Sequence, residues 1–265
     1  MSEDIVGPLF SEEALEVPLA NAPLARVLAQ VRFPEIQSVQ DKQFVAGFQE
    51  RIRRTYPRAN FEILSGVMLG PTPQMTTSTI WRYFDNERKW RISLSDTFMS
   101  FETKAYTSRK DFTARFRDLL EQLGQTIAPT HIDRIGIRYV DQIALEEKET
   151  MSDMLRKEMI GVNDIIGATH HMVSELEGET KEGRVLVRWG HMPPDASHDP
   201  EVMPALQQRS WFLDVDSFRS YEEEAAEFDA SAAADVTYSL ATRAYTIFRW
   251  SVTAQFLDRY GRKTA

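Results

Sequence analysis

Cysteine is absent from the 265 residues. That excludes disulfides, thiolate zinc sites and cysteine nucleophiles, and it is compatible with a reducing compartment. No apolar run approaches the roughly 20 residues that a membrane span needs. The opening "MSEDIVGPLFSEEALEVPLANAPL" has no basic segment followed by an apolar one, so the expectation is a soluble, unprocessed, cytoplasmic protein without membrane contact. Positive charge is in deficit. A formal net charge of −9 opposes attraction to phosphate backbones or anionic lipid and argues against nucleic acid as a partner. Motifs are missing too. There is no G-x-S-x-G elbow, no H-E-x-x-H pair and no G-x-G-x-x-G turn.

What is present is ample apolar material. At 42% hydrophobic residues the chain can bury a large core, as one large domain or two small ones. In "PLARVLAQVRFPE", Val27, Ala29, Val31 and Phe33 alternate with Arg26, Leu28, Gln30 and Arg32, which predicts a strand that Pro34 ends. Ser38 and Asp41 resemble a capping box, and Phe44, Phe48 and Ile52 continue at helical spacing to Pro57. Strand-like runs follow at 61–69, 79–84, 89–94 and 98–103. Ser108 with Asp111 repeats the capping signature before a stripe of Phe112, Phe116, Leu119, Leu120 and Leu123, with Gly124 as the expected stop.

The second half repeats much of this order. "HIDRIGIRYVDQIAL" reads as a strand, 151–160 as a helix ending at Gly161, 171–180 and 184–189 as a hairpin, and 211–218 as a later strand after the proline-broken loop 191–204. A fourth meander strand is missing or short. Leu240, Ala244, Ile247, Phe248, Val252 and Phe256 line one side of a long closing helix from about 232 to 260, with Gly261 as its stop. The expected fold class is therefore α+β: two consecutive β-α-βββ(β)-α units forming an antiparallel sheet with helices on one face. The order resembles a duplicated helix-grip topology like that of the TATA-binding-protein fold, in topology alone and without any implied function. The expected divisions are an N-terminal extension over 1–20, a first unit over 21–128 and a second over 129–265, forming one compact domain together.

Three local signatures resemble a known family: "NAPLARVLAQVRFP", "RIGIRYVDQI" and "WFLDVDSF". The closing "LATRAYTIFRWSVT" resembles its C-terminal helix. The family is a sporadically distributed set of bacterial proteins of about this length without an established activity, so the resemblance spans nearly the whole chain. Its patchy distribution implies an accessory gene, such as one in a defence or toxin–antitoxin locus. Asp141 stands where the family often has asparagine, and Thr242 near where histidine is common.

Arginine in strands is the most pointed feature. Ile135, Ile137, Tyr139 and Ile143 are expected to point one way, and Arg134, Gly136, Arg138 and Gln142 the other. Arg26 with Arg32, Arg82, Arg91, and Arg184 with Arg188 fall on the less apolar faces of their strands, and Gly136 offers close approach to a flat ligand or another backbone. Asp214 and Asp216 share one face, and Glu102, Glu175 and Glu177 fit neighbouring strands. Two readings stand side by side. The charges form a self-satisfied cross-strand ladder, or Arg134, Arg138, Arg184 and Arg188 with Asp214 and Asp216 form a surface for an acidic partner protein or anionic ligand.

Other constellations carry less. Asp214 and Asp216 are too few to hold a divalent cation. His191, Asp195, His198 and Asp199 are acceptable transition-metal ligands, but their segment has the composition of an exposed loop. His170 and His171 are adjacent, so a strand points them apart, one to the core and one to the surface. "GETKEGRV" superficially matches a phosphate loop, yet its setting is a hairpin. The five tryptophans fall among apolar neighbours, as core residues do. The chain is read as a non-catalytic binding protein without metal or cofactor, its acidic exterior suited to masking a basic partner. The alternatives are a small-molecule sensor with a pocket between sheet and closing helix, and an enzyme acting on an anionic substrate held by the arginines.

Overall fold

The computed structural model describes residues 7–68, 74–145, 150–161, 170–221 and 226–263. The first six residues of the expected N-terminal extension, and the expected strand end at Leu69, lie outside them. In chain order the elements are β1 (Leu24–Arg32), a 3₁₀ turn (Gln37–Gln40), α1 (Lys42–Ile52), β2 (Arg58–Met68), β3 (Gln74–Phe84), β4 (Trp90–Leu94), β5 (Phe98–Thr103), α2 (Arg109–Thr126), β6 (His131–Ile132) and β7 (Arg134–Ala144). Then follow α3 (Met151–Met154), α4 (Lys157–Ile160), β8 (Met172–Glu179), β9 (Arg184–Met192), β10 (Ser210–Ser220), β11 (Ala226–Glu227), α5 (Ala230–Ser251) and α6 (Ala254–Arg259). The class is α+β. Nine strands are hydrogen-bonded in the order β2-β3-β4-β5-β1-β7-β10-β9-β8, and β6 pairs with β11.

The chain divides into two compact units, to both of which β1, β7, β10 and α5 contribute residues. One unit comprises Leu28–Ile137 and Arg219–Tyr238. Its core follows from the aromatic stripe of α2: Phe101 on β5 lies 5.2 Å from Phe112 and 5.0 Å from Trp90, with Tyr56 edge-on at 6.1 Å. Burial, against the opposing charge of Arg115, pushes the Tyr56 hydroxyl up to about 12. Ser108 caps α2 as expected, its hydroxyl accepting the Asp111 N–H. The cap of α1 is Asp41, which accepts the Gln43 N–H, because Ser38 belongs to the 3₁₀ turn. Gly124 does not stop α2. It lies inside the helix, where a Cβ would stand 3.0 Å from the Phe228 ring, and the chain leaves the helix through Ala128 at φ 54°.

The other unit comprises Met1–Val27, Arg138–Phe218 and Ser239–Ala265. Trp211, Leu213 and Val215 of β10, Val185 and Val187 of β9, and Ile143 of β7 are buried against Ala244 and Ile247 of α5 and Phe256 and Leu257 of α6. The expected single closing helix is two. Val252 leaves it to bridge Leu155, and Thr253 caps α6 by accepting the Phe256 N–H. The expected helix over 151–160 is likewise broken at Leu155 and Arg156, whose N–H bonds to Ser251 O. Phe248 is only partly buried, whereas Phe256 is fully enclosed. Segment 7–21 packs along α5. Arg243, 2% exposed, donates to Pro8 O at 2.8 Å and Ser11 O at 3.0 Å and makes a two-bond pair with Glu182 of the β8–β9 turn. Burial works against the Glu182 charge, but Arg243 outweighs it and holds the carboxyl below its usual range. That turn is a hairpin, closed by Thr180 N–H on Gly183 O.

Candidate binding site

The six arginine and aspartate candidates separate into different environments. In β10, Trp211, Leu213 and Val215 belong to one core while Phe212 belongs to another, with Val140, Met192, Val202 and Met203. The strand is buried on both sides over most of its length. The second side, expected to be open, is covered there by the segment between β9 and β10. Its prolines preclude a regular element, and Val202, Met203 and His198 fold back over Phe212, with His198 stacked at 4.9 Å. Burying Phe212 this way contributes about 1.5–3 kcal/mol.

Asp214 shares the Phe212 side, and there the charges are paired. Arg138 Nε and Nη2 bond both oxygens of Asp214, at 2.8 and 2.7 Å, and Nη2 also donates to Asp199 of the covering segment at 3.0 Å. Burial disfavours the Arg138 charge, but the two carboxylates outweigh it and raise its pKa. Arg188 stands directly opposite Asp214 in the β9–β10 register, 4.0 Å away, and its Nε bonds Glu175 at 2.6 Å. The run Glu175, Arg188, Asp214, Arg138, Asp199 thus alternates in sign. Arg184 pairs with Glu177 at 2.5 Å near solvent and lies over the Phe218 ring. Asp216 is opposite Leu186. Gly136 is itself buried.

Arg134 goes elsewhere. It lines a cleft of about 250 Å³ with Arg32, Phe33, Pro34, Glu35, Thr97, Asp133 and Ser220. Backbone bonds set the walls: Asp133 N–H to Arg32 O at 2.9 Å, Phe33 N–H to Thr97 O at 3.0 Å, and Tyr221 N–H to Asp133 O at 2.8 Å. The cleft is therefore formed where β1 is halted by Pro34, where β4 turns into β5, and where β7 starts and β10 ends. Two arginines, a threonine, a serine and two acidic residues line it. Such a surface can hold an anionic group by charge-assisted bonds and select its neighbour by the acids.

No protein-family model matches the chain, and no curated protein or solved structure matches it.

The remaining candidates have structural places. His191 is buried opposite Trp211, with Nδ1 lacking a hydrogen-bond partner among the described residues, and burial with the Arg209 charge lowers its pKa. Asp195 turns the chain at φ 59°, and Asp199 serves Arg138, so the four potential metal ligands have separate roles. His170 and His171 are both exposed, not one in and one out. Trp81 and Trp189 bond backbone carbonyls of Val39 and Met159, as partly buried indoles do.

Sequence reading missed two things. The cleft residues Thr97, Asp133 and Ser220 lie at element ends with no pattern linking them. Asp141 lies fully inside β7, and burial first and the Asp214 charge second push its carboxyl up to about 7. A lone aspartate between Tyr139 and Ile143 in an apolar alternation was the available signal.

Proposed function

We propose that the protein is a non-catalytic binding protein that takes an acidic group of a partner protein into the cleft lined by Arg32 and Arg134, as an accessory or antitoxin-like component of a bacterial defence or toxin–antitoxin locus. The observation that carries this reading is the cleft itself: Arg32 and Arg134 with Thr97 and Ser220 around about 250 Å³. That space suits one side chain or chain end and falls below the roughly 300–1,000 Å³ of ordinary small-molecule pockets. Asp133 and Glu35 at the same opening favour a partner in which a basic residue adjoins the acidic one.

The test is affinity capture from a lysate of the source organism with three baits: wild type, Arg32→Gln/Arg134→Gln, and Arg184→Gln. Mass spectrometry identifies what is retained, and the purified partner is then titrated at two salt concentrations. Wild type and Arg184→Gln are expected to retain the same protein, the double variant to lose it, and binding to weaken with salt. Equal retention by all three baits would remove the cleft from the binding surface.

A further inference from the structure

We infer that the outer edge of β2 is the contact through which two copies of this chain associate, strand against strand and antiparallel. β2 is the last strand on its side of the sheet. It pairs with β3 over eleven residues, from Arg58↔Phe84 to Met68↔Gln74, without a bulge. Every residue from Arg58 to Ile63 is exposed, and Phe61 and Ile63 retain 56% and 60% of their surface.

Edge strands in stable monomers are usually blunted by lysine, proline or a bulge. "RANFEILSGVM" has none of these. The Phe61 N–H is held by its neighbour's side chain, Asn60 Oδ1, at 2.8 Å. That is the position of a donor facing away from β3, so Ala59, Phe61 and Ile63 present their backbone groups outward.

The charges select a second copy as the occupant. With the two strands antiparallel and centred on Asn60, Arg58 of each copy stands opposite Glu62 of the other, and Phe61 exchanges backbone bonds with Ala59. The same register places the two Phe61 rings at diagonal positions, within reach of each other. Arg82 engages Oε2 of Glu62 at 2.9 Å, and Oε1 is the atom that a second copy's Arg58 would reach. A strand addition of this kind takes its affinity from main-chain bonds and its specificity from alternate side chains.

The experiment is sedimentation of the full chain over a range of concentrations, for wild type, Phe61→Lys and Arg58→Glu, with thermal unfolding of each. Wild type is expected to show a monomer–dimer equilibrium, and both variants to sediment as monomers that still unfold cooperatively, Phe61→Lys somewhat lower because it loses the ring contact with Trp81. Phe61→Lys places a charge on the apolar edge, and Arg58→Glu faces a carboxylate with a carboxylate, so either one tests the contact if the other misfolds. A wild type that stays monomeric throughout, or a dimer that persists in the folded variants, would overturn the inference.

Discussion

Replacing Asp141 by asparagine should stabilise the protein at neutral and alkaline pH, by an amount that follows from its position. The carboxyl is enclosed in β7 beside the Asp214 charge, and its pKa is pushed from 3.8 in the open chain to about 7. A group whose folded pKa lies above its unfolded value favours the fold fully below about pH 4. That advantage is lost as pH rises through the folded value near 7. Moving the carboxyl from 3.8 to about 7 corresponds, at about 1.36 kcal/mol per pH unit, to a ceiling of about 4 kcal/mol at about pH 8, falling below about 1 kcal/mol near pH 4. Asparagine has nearly the same shape and no charge to desolvate. Urea unfolding of wild type and Asp141→Asn at several pH values measures the difference directly. The variant should gain about 2–4 kcal/mol near pH 8, and the two curves should converge as the solution is acidified. A difference that does not change with pH, or a variant less stable than wild type at pH 8, would refute the account of Asp141 as a buried carboxylate under repulsion.

Arg138→Gln, which leaves the 2%-exposed Asp214 with Arg188 at 4.0 Å in place of a two-bond partner, should cost about 3–5 kcal/mol in urea unfolding. Arg184→Gln breaks a solvent-facing pair and should cost less than about 1 kcal/mol. Equal costs would remove the distinction between a buried ladder and surface pairing. In the closing helices, Phe256→Ala should cost about 3–5 kcal/mol. Phe248→Ala should cost clearly less because that ring is only partly enclosed, and calorimetry of the two variants ranks them.

The longer strands of this fold were legible because alternation is local, whereas the two-residue β6 and β11 were not. Val27, Ala29 and Val31 announce β1, and Trp211, Leu213 and Val215 announce β10, without reference to any partner. Caps were legible where competition was absent: Ser108 is the cap it reads as, whereas Ser38 loses the role to Asp41 once a 3₁₀ turn intervenes. Helix breaks were not legible. Leu155 and Val252 bridge each other across almost a hundred residues, and no local pattern reports such a pairing. The same limit divided Arg134 from Arg138. Both fall on one side of one strand by alternation, but their fates depend on which neighbour each meets: Asp214 and the covering segment for Arg138, and the ends of β1 and β10 for Arg134. Gly124 shows a further ambiguity, since a glycine at the end of an apolar stripe marks either a stop or a close approach, and here it accommodates Phe228.

The clasp of segment 7–21 onto α5 has a consequence for synthesis. The Arg243 bonds to Pro8 and Ser11 join residues 235 and 232 positions apart, and the Ala14 and Val17 N–H groups wait for Thr246 and Tyr245 at separations of 232 and 228. On a ribosome, residues 7–21 therefore emerge long before anything that can hold them, and the contacts that do so are among the most non-local in the fold. The unit built from Leu28–Ile137 can gather most of its aromatic core while translation continues, since Trp90, Phe101, Phe112 and Phe116 all lie within it. In the unit that includes Arg243, Val17 and Leu19 wait for Tyr245 and Arg262. That early segment therefore lacks these partners through most of synthesis, and a stalled or truncated translation product would display it.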